Sequence, residues 1–224
     1  AKIPDANVSW NEAATLGTAL NTMHNAVVTA GRMQKGEAVL VQGASSGVGL
    51  MAMQIAKYKG AGLVIGTSTN AERREKLKDF GADLALDSRD ESWADQVLEA
   101  TGGEGVDLIV DNVSGYTVND SLRATKILGR FGNVVRLGGF SGEFNFDLHA
   151  ARRIDYIGVT FRTRSIHEVR EIARLMQADL GEAVANGELR VPIDSVYPFE
   201  QVADALAHMK GNQHFGKIVL EGAV

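Results

Sequence analysis

The chain contains no cysteine among its 224 residues. That absence excludes disulfides, a thiolate-bound zinc and a cysteine nucleophile within it, and leaves the redox compartment undecided. Proline occurs three times; Pro192 and Pro198 fall close together near the C-terminus, a spacing unsuited to a central strand. No long uninterrupted apolar run and no charged-then-apolar leader is present, so the reading is a cytoplasmic protein. No internal repeat or low-complexity segment appears. A formal net charge of -5 gives no reason to expect nucleic acid or an anionic membrane as a partner. No Ser/His/Asp arrangement, paired carboxylates or Gly-Lys-Ser phosphate loop is found, which leaves hydrolase and NTPase readings without support. The five histidines, His24, His149, His167, His208 and His214, lack metal-ligand spacing and read as surface or locally bonded side chains.

What is present centres on Ala38–Lys57. Ala38–Gln42 reads as a buried strand, Gly43–Gly49 as a glycine-rich turn, and a helix starts at about Gly47. A strand feeding such a turn and then a helix presents free backbone N–H groups to a phosphate. Ala44, Ser45, Ser46, Gly47 and Gly49 are all small, and with Val48 they make the turn a candidate dinucleotide site.

The remainder alternates strand and helix. Ser9 and Glu12 form a capping-box pattern ahead of a helix reaching about Gly31. Strands are predicted at Leu63–Gly66, Leu84–Leu86, Asp107–Val110, Asn133–Leu137 and Tyr156–Phe161. Helices are predicted at Ala71–Phe80, Ser92–Ala100, Val118–Leu128 and Ile166–Ala185. This alternation argues an α/β Rossmann doubly wound parallel sheet over 1–186, with its ligand crevice at the carboxyl ends of the strands. Residues 187–224 break the pattern and read as a tail belonging to a different structural layer. It holds a short helix, Phe199–Met209, and a last strand, Lys217–Leu220.

The second strand ends in Gly66-Thr67-Ser68-Thr69-Asn70, with no carboxylate before Glu72. An NAD site usually places an acidic side chain there for the ribose 2′-hydroxyl. Small hydroxyls at Thr67, Ser68 and Thr69, followed by Arg73 and Arg74, suit a 2′-phosphate instead. The expected cofactor is therefore NADPH. The solvated face of a charged helix is the competing explanation for both arginines.

The turn GASSGVG resembles that of both short-chain and medium-chain dehydrogenases. The short-chain pattern needs Tyr-x-x-x-Lys, but Tyr58, Tyr116, Tyr156 and Tyr197 are followed four residues on by Gly62, Asp120, Thr160 and Gln201. Segments along the whole chain resemble the medium-chain family: Pro4-Asp5 through Ala13-Ala14, Lys35–Val41, Phe80-Gly81-Ala82-Asp83, Gly105-Val106-Asp107, Gly129-Arg130-Phe131-Gly132, Ile157–Arg162 and His214–Leu220. The resemblance is strongest to its zinc-independent quinone oxidoreductase (zeta-crystallin-like) branch. It implies an N-terminal GroES-like catalytic domain preceding Ala1, to which the tail returns. The opening Ala1-Lys2-Ile3-Pro4-Asp5, without an initiator Met, fits a chain that starts inside a longer protein. It also implies Thr18 where zinc-dependent relatives carry a ligating cysteine, so no metal is expected.

By the same resemblance Arg73 stands where these enzymes often carry a phosphate-binding lysine, and Ser88 where they carry Tyr or His. Thr22, Leu137, Gly138, Gly139 and Phe161 would lie near the nicotinamide, and Asn112 and Val113 at the ribose. Arg162 and Arg164 could bind phosphate or a substrate carbonyl, or pair with Glu168 or a nearby Asp. Lys217 is a candidate cofactor or domain contact, with plain surface exposure as the alternative. The implied activity is NADPH-dependent reduction of quinones or α,β-unsaturated carbonyls. The alternatives are a non-catalytic NADPH-binding module and a fragment of a zinc-dependent alcohol dehydrogenase. No catalytic proton donor is identifiable. The apolar edge strand Asp155–Phe161 is expected to pair across a homodimer axis.

Overall fold

The computed structural model describes residues 8–222; the segment Ala1–Asp5 read above lies outside them. Six strands form one parallel sheet: β1 Ala38–Gln42, β2 Leu63–Thr67, β3 Leu84–Leu86, β4 Val106–Asp111, β5 Thr125–Asn133 and β6 Asp155–Gly158. Their order across the sheet is β3-β2-β1-β4-β5-β6. The order reverses between β1 and β4, the place where a doubly wound sheet opens a crevice.

Period-two alternation in the central strands feeds two cores. On β1, Val39 and Val41 face one layer and Leu40 the other. The first layer holds α1 Trp10–His24, α2 Gly47–Tyr58 and α7 Ile166–Ala185, with Leu20, Met23, Met51, Ile55 and Leu180 buried against Val64, Leu108 and Val110. The second holds α4 Trp93–Ala100, α5 Val118–Ala124 and α6 Phe146–Arg152, where Trp93, Val97 and Leu122 cover Ile65, Ile109 and Phe131. The capping box at Ser9 and Glu12 forms as the sequence predicts, and a second one opens α7 at Ser165 and Glu168. A single π-type turn, Asn25–Thr29, carries α1 into its C-terminus.

The predicted helix Ala71–Phe80 divides into α3 Ala71–Lys76 and a tighter 3₁₀ turn, Leu77–Phe80, before Gly81. Two boundaries differ more. Helix α5 stops at Ala124, and the strand predicted at Asn133–Leu137 runs instead over Thr125–Asn133. The partner strand β4 ends at Asp111, whose carbonyl oxygen accepts from both Val134 and Val135, so the ladder cannot continue beyond Asn133. Val134–Leu137, apolar but for Arg136, is therefore a loop over the crevice. Likewise β6 ends at Gly158, and Thr160-Phe161 turn away from the sheet into the same space.

Beyond α7 the chain forms a parallel pair, β7 Ile193–Pro198 and β8 Lys217–Glu221, joined through α8 Val202–Lys210. This small layer meets the main sheet at the glycine-rich turn after β1 through a bridge between Ser46 and Gly216.

Candidate functional site

The turn after β1 is held from below. Gly43 has a left-handed φ of 66°, and its N–H donates to Thr67 Oγ1 at 3.1 Å. The Thr67 hydroxyl in turn donates to Gln42 Oε1 at 2.7 Å. Thr67 is wholly buried, so its hydroxyl anchors the turn and is not offered to the crevice. Ser46 caps α2: its Oγ accepts from Gly49 N–H at 3.1 Å and donates to the Gly43 carbonyl at 2.9 Å. The first N–H groups of α2, at Gly47 and Val48, are those a helix leaves without an internal acceptor. A Cβ on Gly49 would stand 2.5 Å from the Gly43 carbonyl oxygen, so glycine lets the helix start directly on the turn.

Two polar groups beside this turn have no hydrogen-bond or ion-pair partner among the described residues. Asn112, with no exposed surface, donates through Nδ2 to the Gln42 carbonyl at 3.0 Å, but its Oδ1 is buried without a hydrogen bond among the described residues. Lys217 lays its stem across Gly47, where an added Cβ would meet Cε at 2.7 Å. Burial alone pushes the Lys217 ammonium pKa down. A desolvated cation at the N-terminus of a helix is an arrangement completed by an anion.

The loop after β2, Ser68–Asn70, runs alongside. Ser68 Oγ donates to Ser45 Oγ at 3.0 Å, tying the loop to the turn, and Thr69 is exposed. Arg74 donates to the Ser68 carbonyl at 2.8 Å and pairs with Asp87 at 2.7 Å, which commits it to shaping the loop. Arg73 reaches instead to Asn212 in the loop before β8. Ser88 is buried beyond β3.

On the other side of the switch point, Asp111 organises the β4 loop. Its carboxylate accepts from Val113 N–H at 2.9 Å, Ser114 N–H at 2.8 Å and Ser114 Oγ at 2.9 Å. Burial pushes its pKa up, and the hydrogen bonds from Ser114, Val113 and Asn133 pull against that. No pattern of residue spacing singled Asp111 out; its position one residue before Asn112 was the available signal. Gly138 packs against Val113 and Tyr116, while Leu137 is largely exposed.

A cleft of about 870 Å³ brings the far half of the candidates together. Thr18 and Thr22 of α1, Val48 of α2, Leu137, Phe161 and Arg162 all line it. Phe140, Thr160 and Arg136 also line that wall; Arg136 and Thr160 escaped sequence reasoning because they lie where strands were expected, at Asn133–Leu137 and Tyr156–Phe161. Arg164 is excluded from the lining by its own bonds: it donates to the Thr160 carbonyl at 2.9 Å, to Asn25 Oδ1 at 3.1 Å, and pairs with Glu168. Among the described residues no cluster of three His, Cys, Asp or Glu side chains could hold a metal ion. His24, one of the five scattered histidines, is buried and bonded to Asp179 at 2.7 Å. Among the described residues no helix is long and apolar enough to cross a membrane.

The family model described as zinc-binding dehydrogenase matches residues 47–178. A mycocerosic acid synthase-like polyketide synthase from Mycolicibacterium smegmatis is 30% identical over 98% of this chain, which covers 10% of that protein. A highly reducing polyketide synthase from Gibberella zeae is 32% identical over 98% of the chain and 9% of its own length. The chain thus spans about a tenth of the curated relatives it matches. Among solved structures, a mycobacterial protein complexed with NADPH superimposes with a TM-score of 0.85 at 28% identity, over 98% of this chain and 67% of that one. The ER cyclopropanase CurF of curacin A biosynthesis gives 0.83 at 27% identity, over 97% of this chain and 64% of that one. Thr18, where the resemblance implies the ligating cysteine of zinc-dependent relatives, is a cleft-lining threonine of α1.

Proposed function

This chain belongs to the zinc-binding dehydrogenase family of medium-chain oxidoreductases, and we propose that it is the cofactor-binding part of an NADPH-dependent reductase. Its substrate class is an α,β-unsaturated carbonyl, or a quinone of similar electron demand. The observation that carries this reading is the glycine-rich turn at the start of α2, where the Lys217 stem covers Gly47 and Val48 lines the cleft that also holds Phe161. Polyketide synthases among the relatives favour the unsaturated carbonyl over the quinone.

In this reading each residue has a physical task. Ser45, Ser46, Gly47, Val48 and Gly49 present backbone donors to the pyrophosphate, and Lys217 supplies the balancing charge. Ser68, Thr69, Arg73 and Ser88 surround the adenosine ribose, with Arg73 on the 2′-phosphate and Thr67 keeping the turn in place. Asn112, just past the end of β4, stands at the ribose, with its Oδ1 buried and without a hydrogen bond among the described residues. Val113, Gly138 and Gly139 approach the second ribose by backbone. Thr22, Leu137 and Phe161 hold the nicotinamide half. When bound, the nicotinamide supplies the hydride. Arg162, exposed at the cleft rim, is placed to polarise a substrate carbonyl or hold an anionic group attached to it. Chain beyond this sequence closes the remaining side, and the edge strand β6 pairs with a second copy.

The test is NADPH oxidation with a panel of quinones and α,β-unsaturated thioesters, beside direct titration of NADPH and NADH. Arg73→Glu should raise the NADPH dissociation constant far more than that for NADH, by roughly 100-fold for a reversed charge at a phosphate. Equal effects on the two would refute the 2′-phosphate assignment. Tight NADPH binding without turnover on any substrate would make the chain a binding module.

A further inference from the structure

The loop Gly211–Gly216, between α8 and β8, carries no dinucleotide fingerprint, yet it spans from the phosphate turn to α3. At one end Gly216 bridges to Ser46, and Lys217 covers Gly47. In its middle the Phe215 ring packs edge-on against Phe80 at 5.7 Å and lies 5.4 Å from the Lys76 ammonium. At the other end Arg73 donates Nη1–H to Asn212 Oδ1 at 3.1 Å and Nη2–H to the Asn212 carbonyl. Asn212 has a left-handed φ of 48°, a conformation asparagine tolerates better than most residues. Its main-chain and side-chain acceptors thereby converge on one guanidinium.

We propose that Asn212 is a positioning residue for cofactor choice: it holds the end of the Arg73 guanidinium so that its Nε edge faces a 2′-phosphate. This rests on the reading that Arg73 contacts that phosphate. A guanidinium carries five N–H donors in a rigid plane. Asn212 takes one from each terminal nitrogen, leaving Nε–H and one N–H on each terminal nitrogen for a ligand. Side-on recognition of phosphate uses Nε and its neighbour, so the clasp and the ligand do not compete. A long side chain held in advance also loses less freedom when the ligand arrives. The held cation does not stand alone. Burial first, and then the charges of Arg73, His208 and Lys217, favour the neutral form of His214 in the same loop, against the opposing charge of Asp194. The C-terminal layer thus shapes the cofactor end of the site, although it lies far along the chain from β2.

Asn212→Asp keeps both acceptors but adds a carboxylate that pairs with Arg73 and repels a phosphate. Asn212→Gly keeps the left-handed backbone and the carbonyl and removes Oδ1 alone. Dissociation constants for NADPH, NADH, 2′,5′-ADP and 5′-AMP are measured by titration of the intact protein. The preference for NADPH over NADH should fall about tenfold in Asn212→Asp and about threefold in Asn212→Gly, with NADH and 5′-AMP binding retained. In an Arg73→Ala background, Asn212→Asp should have no further effect on the preference. Preference unchanged in both Asn212 variants but lost in Arg73→Ala would overturn the role of Asn212 and leave the phosphate reading standing. Preference unchanged in Arg73→Ala would overturn both. Parallel loss of NADPH and NADH binding in the Asn212 variants would mark a merely structural loop and overturn the proposal.

Discussion

Replacing Asp111 separates what its shape does from what its charge does. Its carboxylate has no exposed surface, and one oxygen accepts two backbone N–H groups, from Val113 and Ser114. Asp111→Ala leaves both donors buried without an acceptor. Each orphaned donor costs about 1–3 kcal/mol, so the loss should be about 2–6 kcal/mol, a large share of the roughly 5–15 kcal/mol that holds a domain folded. Asp111→Asn keeps an amide oxygen for the same two N–H groups. The Ser114 hydroxyl can then accept from the new amide while still donating to the Val135 carbonyl, now 3.1 Å away. Its cost should be about 1 kcal/mol or less at neutral pH. The pH dependence follows from the raised carboxyl pKa. A folded value above the unfolded one means that the neutral form is the better fit to the fold. Stability from this group is fully present below the unfolded value of 3.8 and is lost as pH rises through the folded value. The asparagine variant lacks that slope. Urea unfolding at about pH 4 and about pH 8 measures all three proteins. Asn should gain on Asp as pH rises, and Ala should lie well below both. Equal losses for Ala and Asn, or an Asn–Asp difference that does not move with pH, would refute the reasoning.

Three other perturbations follow from the same geometry. Gly49→Ala drives a methyl against the Gly43 carbonyl and Ala44 backbone; overpacking of this kind costs about 1–3 kcal/mol, and both thermal stability and NADPH affinity should fall. Lys217→Met removes a desolvated cation with a lowered pKa. That pKa is depressed in the fold, so stability rises with pH through it, and the methionine variant should unfold at higher urea while binding NADPH about tenfold more weakly. A gain in binding would refute the anion role of Lys217. Gly158→Pro, on the edge strand β6, should convert the proposed dimer to a monomer by light scattering; a wild-type protein that is itself monomeric would refute the pairing.

The fold was legible where two signals coincided. β1, β2 and β4 are short apolar runs bounded by glycine or acidic residues, and their alternation decides which layer each side chain joins. The phosphate turn was legible because its glycines answer local needs, such as the close approach of Gly49 to Gly43. Val134–Leu137 was misread because an apolar run says nothing about where the neighbouring strand stops. Here the ladder ends at the Asp111 carbonyl, a partner 23 residues earlier than Val134, so the apolar side chains line a cleft instead of a sheet. Arg73 and Arg74 were inseparable on paper as adjacent cations on one helix. Only their partners divide them: Arg74 is consumed by Ser68 and Asp87, whereas Arg73 is held by Asn212, 139 residues away. Charge is written in the sequence, but what a charge is free to do depends on contacts that only the folded chain assembles. The tail is the extreme case. Its residues read as a departure from the dinucleotide pattern, and the fold places Lys217 over the first residue of the very helix that the pattern is built on.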